Sequence, residues 1–401
     1  MSALLRSSLR FTGTTHMSAV NRLSQQLRLL TASAPLSTLN TAGKAPFKVA
    51  VVGSGNWGTT VAKIVAENCT AHPELFDPEV RVWVRQEQVN GKNLTDIFNS
   101  EHENVRYLPK IKLPHNLIAE PDLLKAVEGA NIIVFNLPHQ FLAGVCKQLK
   151  GHVNPKARAI SCLKGLDVTP QGVYLLSDVI ENETGLHCGV LSGANLATEI
   201  ALEKYSETTV AYNKPKDFFG EGDVTNDVLK ALFHRPYFHV RCVSDVAGVS
   251  IGGALKNVVA LCAGFVEGKN WGDNAKAAIM RRGMLEMINF SKRFFPETDI
   301  NTLTVESAGV ADLITSCAGG RNFKVGRAFG KESGSGKTIQ DVEKELLNGQ
   351  SAQGVITCNE VHELLKNKHM QKDFPLFEST WGIIHGELKI EDLPEILYHA
   401  N

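Results

Sequence analysis

Up to about residue 243 the apolar residues come in short blocks, and beyond it they recur at helical spacing. Residues 49–52 (VAVV) form a β-branched run suited to a parallel strand covered on both faces. The run stops at glycines, and residues 59–67 then carry apolar positions with helical period, so strand, tight turn and helix are predicted in succession. Further buried strands are predicted at 80–84 (VRVWV), 131–135 (NIIVF), 157–162 (ARAISC), 189–192, 208–212 and 237–241, with a helix near 224–233. Between them, residues 214–227 are polar and contain glycine, the composition of a surface excursion. Past residue 243 strand-like runs become rare, and helices are predicted at 247–267, 274–294, 302–317, 339–347 and 357–367. This texture predicts an α/β fold: a doubly wound sheet over residues 46–243, then an all-helical domain over 244–401.

The first 46 residues differ from both. They contain no acid, while Arg6, Arg10, Arg22, Arg28 and Lys44 sit among Ser, Thr and Leu. Val20, Leu23, Leu27 and Leu30 recur at helical spacing, giving the basic amphipathic pattern of a mitochondrial presequence over residues 1–45. Met17 offers a second start that would shorten the signal, so a population divided between mitochondria and cytoplasm is expected. No apolar stretch reads as long enough to span a bilayer. Lys plus Arg balances Asp plus Glu at 42 each, which excludes a global field for nucleic acid. Eight scattered cysteines make no CxxC pair and thirteen histidines no HExxH, so no metal site is expected. An anionic ligand must then be held by local groups.

Candidate chemistry begins at residues 48–58, KVAVVGSGNWG. Gly53, Gly55 and Gly58 have the GxGxxG spacing of a Rossmann-type dinucleotide turn, with Ser54, Asn56 and Trp57 between them. At such a turn the second glycine admits the pyrophosphate, and the helix N-terminus offers free N–H groups to it. At the end of the next strand stand Arg85, Gln86 and Glu87. An acid there suits the ribose of NAD and an arginine suits the extra phosphate of NADP, so the choice stays open. Lys164 and Asn195 follow predicted strands, where open α/β sheets bind ligands, although a solvated loop lysine has the same spacing. Lys256 lies in the apolar helical run GGALKNVV, and burial there would lower its pKa toward the range useful for proton transfer; snorkelling to the surface is the alternative. Asp312, in another apolar run, would be costly to bury unpaired, which nominates Lys256 as its partner. Gly319 and Gly320 before Arg321 and Asn322 at a predicted helix start make a phosphate cradle, or else a plain turn with an exposed arginine. Residues 330–338 (GKESGSGKT) lack the spacing of a nucleotide loop and read as a surface loop.

Taken together, GSGNWGT at 53–59, NLPHQF at 136–141, SCLKG at 161–165, SGANLATE at 192–199, GALKNVVA at 253–260, GVADLITS at 309–316, GGRNFKV at 319–325 and ELLNGQSAQG at 345–354 resemble the NAD-dependent glycerol-3-phosphate dehydrogenases, the fungal form above all. The resemblance implies reversible reduction of dihydroxyacetone phosphate by NADH to sn-glycerol 3-phosphate, in a homodimer. It implies Lys256 as proton donor and acceptor, with Asp312, Asn257, Asn195 and Thr315 in the catalytic hydrogen-bond network. Lys164, Arg321 and Asn322 would bind the substrate. Residues 53–58, Arg85, Phe141, Lys164, Ala197, Arg321 and Gln353 would contact NAD. Another two-domain dehydrogenase, of the hydroxyacid or 6-phosphogluconate type, and a non-catalytic NAD sensor are the competing readings.

Overall fold

The computed structural model describes residues 45–169, 172–220, 222–347 and 352–399. Residues 1–44 of the predicted presequence lie outside the described residues. Lys44–Asn401 forms one compact unit. Its sheet is built from β1 (Phe47–Val52), β2 (Phe76–Trp83), β3 (Leu117–Glu120), β4 (Ile132–Phe135), β5 (Arg158–Ser161), β6 (Cys188–Ser192), β7 (Ser206–Ala211) and β8 (Phe238–Val243). The spatial order is β8-β7-β6-β5-β4-β1-β2-β3. Strands β1 to β6 are parallel; β7 runs antiparallel to β6, and β8 parallel to β7. The doubly wound sheet expected from the strand runs is present. Its order reverses between β4 and β1, and the crevice outside their carboxyl ends is where such sheets bind ligands. Strands β4 and β5 are buried at every residue, which is why they read as unbroken runs. Strand β3 escaped notice because LIAE, four residues alternating between buried and half-buried, is too short for a periodicity.

Beyond the sheet, helix α2 (Val246–Gly268) follows α1 (Asn56–Ala71) in the numbering used here, then α3 (Asp273–Phe294), α4 (Asp312–Gly319), α5 (Arg321–Lys331) and α6 (Gln353–Asn367). Helices α3, α4, α5 and α6 all pack on α2, whose residues are almost all buried. At 23 residues α2 is long and apolar enough to cross a membrane, which corrects the expectation that no stretch passes that test. In this fold it is instead the buried axis of the helical region. Small residues make the enclosure possible. A Cβ added at Gly264 would lie 2.5 Å from the Phe323 carbonyl oxygen, and one at Gly326 would lie 2.2 Å from that of Leu261. Helices α2 and α5 therefore cross backbone to backbone.

The single helix predicted at 302–317 is broken. Residues Ile300–Thr304 form a short helix, Ser307–Ala311 a π-helical turn, and α4 starts at Asp312. The cause lies at Gly309, where a Cβ would lie 2.1 Å from the Leu303 carbonyl oxygen, and at Gly252 of α2, where one would lie 2.6 Å from that of Ala308. The chain widens into a π turn where it is pressed against α2.

Gly264→Ala is expected to destabilise the protein by about 1–3 kcal/mol through overpacking at the α2–α5 crossing, read as a lower urea midpoint. Gly144→Ala, in a helix where the added methyl meets nothing within 4 Å, should be neutral or slightly stabilising. Equal losses in the two variants would mean that the crossing is not tight.

Candidate active site

The glycine turn after β1 separates three roles. Gly53 has φ +110°, and a Cβ there would lie 2.6 Å from the Asn136 carbonyl oxygen. A Cβ at Gly58 would lie 2.2 Å from the Gly53 carbonyl oxygen, so helix and strand touch through it. Gly55 is different: its φ of −62° suits any residue, and a Cβ there meets nothing within 4 Å. The fold does not need glycine at 55, and the space in front of the turn is open there. The Ser54 carbonyl is drawn back into the protein by the Thr59 hydroxyl at 3.0 Å and the Asn104 amide at 2.9 Å. No side chain caps α1. An open cradle at an uncapped helix N-terminus fits a pyrophosphate.

Around this turn the other expected cofactor contacts take distinct places. Trp57 packs edge-on against Phe238 of β8, with centroids 6.3 Å apart, so its ring anchors α1 to the sheet while Asn56 stays exposed. Arg85 lies exposed just beyond β2, whereas Glu87 accepts the Tyr107 hydroxyl at 2.5 Å. Phe141, half exposed, stands on the turn after β4. The Ala197 carbonyl accepts the Thr60 hydroxyl of α1 at 3.3 Å. Gln353 begins α6, and its buried Nε2 has no hydrogen-bond partner among the described residues, as expected of a group facing a ligand. Part of the 345–354 motif, residues 348–351, lies outside the described residues.

At the carboxyl end of β5, Lys164 meets Asp312 from the helical region. Asp312 Oδ2 accepts Lys164 Nζ at 2.7 Å, and Oδ1 accepts Lys256 Nζ at 2.6 Å. One buried carboxylate thus joins two ammonium groups. Lys256 also donates to Ser316 Oγ at 2.6 Å, and Lys164 to the Gly193 carbonyl at 3.2 Å. Lys256 is 5% exposed, which resolves the choice between burial and snorkelling. Burial in α2 lowers its pKa to about 7; Asp312 opposes that shift, and the like charge of Lys164 adds to it. The partnership of Lys256 with Asp312 was foreseeable from the cost of an unpaired acid. The sharing with Lys164 was not, because the two lie 148 positions apart. Ser316 was also missed, although its i+4 spacing from Asp312 was available as a signal.

Asn257 and Asn322 form a strut. Asn322 Nδ2 donates to Asn257 Oδ1 at 2.8 Å, and Asn322 Oδ1 accepts the Gly354 N–H at 2.8 Å. The amide pair therefore ties α2 to the starts of α5 and α6, leaving Asn322 one N–H for a ligand. Arg321 opens α5 behind Gly320, keeps contact with solvent, and has its pKa lowered by the protein around it. Asn195 turns toward β7: its Nδ2 donates to the Glu207 carbonyl at 3.0 Å and its Oδ1 accepts the Thr208 hydroxyl at 2.9 Å. It touches neither lysine. Thr315 is half-buried on α4, beside Ser316.

Comparison with known proteins bears on the whole chain. The family described as NAD-dependent glycerol-3-phosphate dehydrogenase matches through its N-terminus at residues 48–217 and its C-terminus at residues 245–395. Glycerol-3-phosphate dehydrogenase (NAD+) 1 of Yarrowia lipolytica is 96% identical over 401 residues, covering 100% of both chains. Glycerol-3-phosphate dehydrogenase (NAD+) 2, mitochondrial, of Saccharomyces cerevisiae is 59% identical over 88% of this chain and 80% of its own. The solved structure of a glycerol-3-phosphate dehydrogenase from Saccharomyces cerevisiae superposes with a TM-score of 0.84 at 60% identity, covering 88% of this chain and 99% of that one.

The glycine geometry separates folding from binding. Gly55→Ala should melt within about 0.5 kcal/mol of the parent yet bind NADH at least about tenfold more weakly, by fluorescence titration. Gly58→Ala should lose stability first. Unchanged NADH affinity in Gly55→Ala would place the pyrophosphate elsewhere.

Proposed function

The chain belongs to the NAD-dependent glycerol-3-phosphate dehydrogenases, oxidoreductases that interconvert dihydroxyacetone phosphate and sn-glycerol 3-phosphate, and we propose that Lys256 moves the proton in that reaction. The observation that carries the proposal is a buried ammonium with a pKa near neutrality, held by an Asp312 that also meets Lys164 just beyond the carboxyl end of β5. NADH, when bound, supplies a hydride to the carbonyl carbon. Lys256 Nζ then has to give a proton to the carbonyl oxygen as negative charge develops there. In the reverse direction the neutral amine takes the hydroxyl proton. Asp312 holds the amine in place on one oxygen and Lys164 on the other.

Binding the phosphate falls to Arg321 with Lys164. A guanidinium at the start of a helix, behind two glycines, offers a bidentate fork and helix N–H groups together. Asn257 and Asn322 brace that helix start, and Asn195 and Thr315 support the network at its edges. The residues set to hold NAD are 53–58 with Arg85, Phe141, Ala197 and Gln353, Lys164 and Arg321 facing both ligands. A non-catalytic sensor would not need Lys164, Lys256 and Asp312 together. We also propose that the basic N-terminal segment directs part of the protein to mitochondria, in keeping with the mitochondrial relative, and that the enzyme is a homodimer. Mass spectrometry of the mature N-terminus from isolated organelles tests the first, and sedimentation the second.

The sign of the pH dependence follows from the lysine's role. A proton donor must be protonated, so kcat/KM for ketone reduction should fall as pH rises through about 7, while kcat/KM for alcohol oxidation should rise through the same region. Profiles moving together in the two directions would remove Lys256 from proton transfer. Lys256→Ala should fold and lose about 10²–10⁴ in kcat, measured by NADH absorbance. Arg321→Ala should raise the KM for dihydroxyacetone phosphate more than the Kd for NADH; the reverse order would count against phosphate binding.

A further inference from the structure

Ser307 opens the π-helical turn that ends beside Asp312, and it is 6% exposed. Its hydroxyl donates to the Glu207 carbonyl of β7 at 3.0 Å and accepts the Ala194 N–H at 3.3 Å. The peptide carrying that N–H is the one whose carbonyl, from Gly193, accepts Lys164 Nζ at 3.2 Å. One peptide unit is thus held on one side by Lys164 and on the other by Ser307. The fit is close: a Cβ on Gly193 would lie 2.9 Å from Ser307 Oγ, so only glycine lets the hydroxyl approach. The next residue of the turn is fixed as well, since the Ala308 N–H donates to Thr209 Oγ1 of β7 at 3.3 Å. The Glu207 carbonyl that receives Ser307 also receives Asn195 Nδ2 at 3.0 Å. Asn195, which touches neither lysine, is therefore joined to them through this serine.

We infer that Ser307 is a positioning residue for the reaction: it fixes the Gly193–Ala194 peptide and, through the π turn, Asp312, and so holds both acceptors of Lys164 in register. The inference rests on Lys164 and Lys256 having the roles proposed above. Lys164 bridges two parts of the molecule, one acceptor lying in the loop after β6 and the other at the head of α4. Among the described residues Ser307 is the acceptor that ties that peptide N–H to the turn, and without it the ammonium follows whichever acceptor moves. Lys256 feels the change, because the charged groups facing it are Asp312 from α4 and Lys164 from the β5 loop, with the Cys317 thiol nearby on α4. A loosened Lys164 withdraws a like charge from Lys256 and leaves it more of Asp312, and both effects favour its protonated form.

Ser307→Ala in the full chain should raise the KM for dihydroxyacetone phosphate about tenfold, the effect of one buried hydrogen bond, with a smaller loss in kcat and an unchanged Kd for NADH. The basic limb of the kcat/KM profile for ketone reduction should move up by about half a pH unit. The decisive measurement is a double-mutant cycle: on a Lys164→Ala background, Ser307→Ala should add little. Native KM and pH profile in Ser307→Ala, or the same loss on both backgrounds, would overturn the inference while leaving the enzyme's reading intact. Lys164→Ala with a native KM would instead strike at the reading on which it rests. Should Ser307→Ala not fold, Thr209→Val removes the second clamp on the turn at nearly constant shape and should shift KM and the pH limb in the same directions; no shift in either would overturn the inference.

Discussion

Two ammonium groups share the carboxylate of Asp312, and much of the architecture serves to make that possible. A buried carboxylate with a single partner forms a neutral pair; with two protonated lysines the cluster keeps net positive charge, which a phosphorylated, anionic substrate can meet. Keeping Asp312 and Lys256 out of water requires an enclosure, and α2 with the helices packed on it supplies one. Aiming both oxygens at once requires a fixed carboxyl group, and the π turn supplies that by placing Asp312 at the first position of α4. Burial then does chemical work. The desolvation that would otherwise only cost stability brings Lys256 to a pKa at which it can both give and take a proton.

Glycine has opposite meanings at different places in this chain. At 53, 58, 264 and 326 a methyl group would strike backbone, so the fold itself demands glycine. At 55 the fold makes no demand, and a methyl group would meet only open space. Sequence spacing alone presents Gly53, Gly55 and Gly58 as one motif; only the atoms around each show that two build the turn and one leaves it open.

Much of the fold was legible because the strands are buried on both faces and therefore read as apolar runs, and because α2 and α3 are long enough for their period to show. What stayed hidden was non-periodic: the four-residue β3 and the π turn that interrupts 302–317. The site divides in the same way. Lys256 with Asp312 could be reasoned from the cost of burying charge. Strand-end position nominated Asn195 and the resemblance to the family supplied Gln353, but neither told that Asn195 faces β7 or that Asn322 spends two of its hydrogen bonds on Asn257 and Gly354. Long-range contacts such as Lys164 with Asp312 leave no local trace in composition or period.

Helix α2 carries one further consequence, which concerns the chain before it has folded. On emerging from a ribosome or passing through a protein-conducting channel, a 23-residue stretch this apolar presents itself as a candidate anchor well before α3 to α6 exist to cover it. A lysine near the middle of such a segment opposes partition into the bilayer by about 2.5–3.5 kcal/mol on insertion scales. Lys256, near the centre of α2, thus also biases the nascent segment away from lipid. The side chain that Asp312 holds in the finished fold is the one that helps the unfinished chain stay out of the membrane.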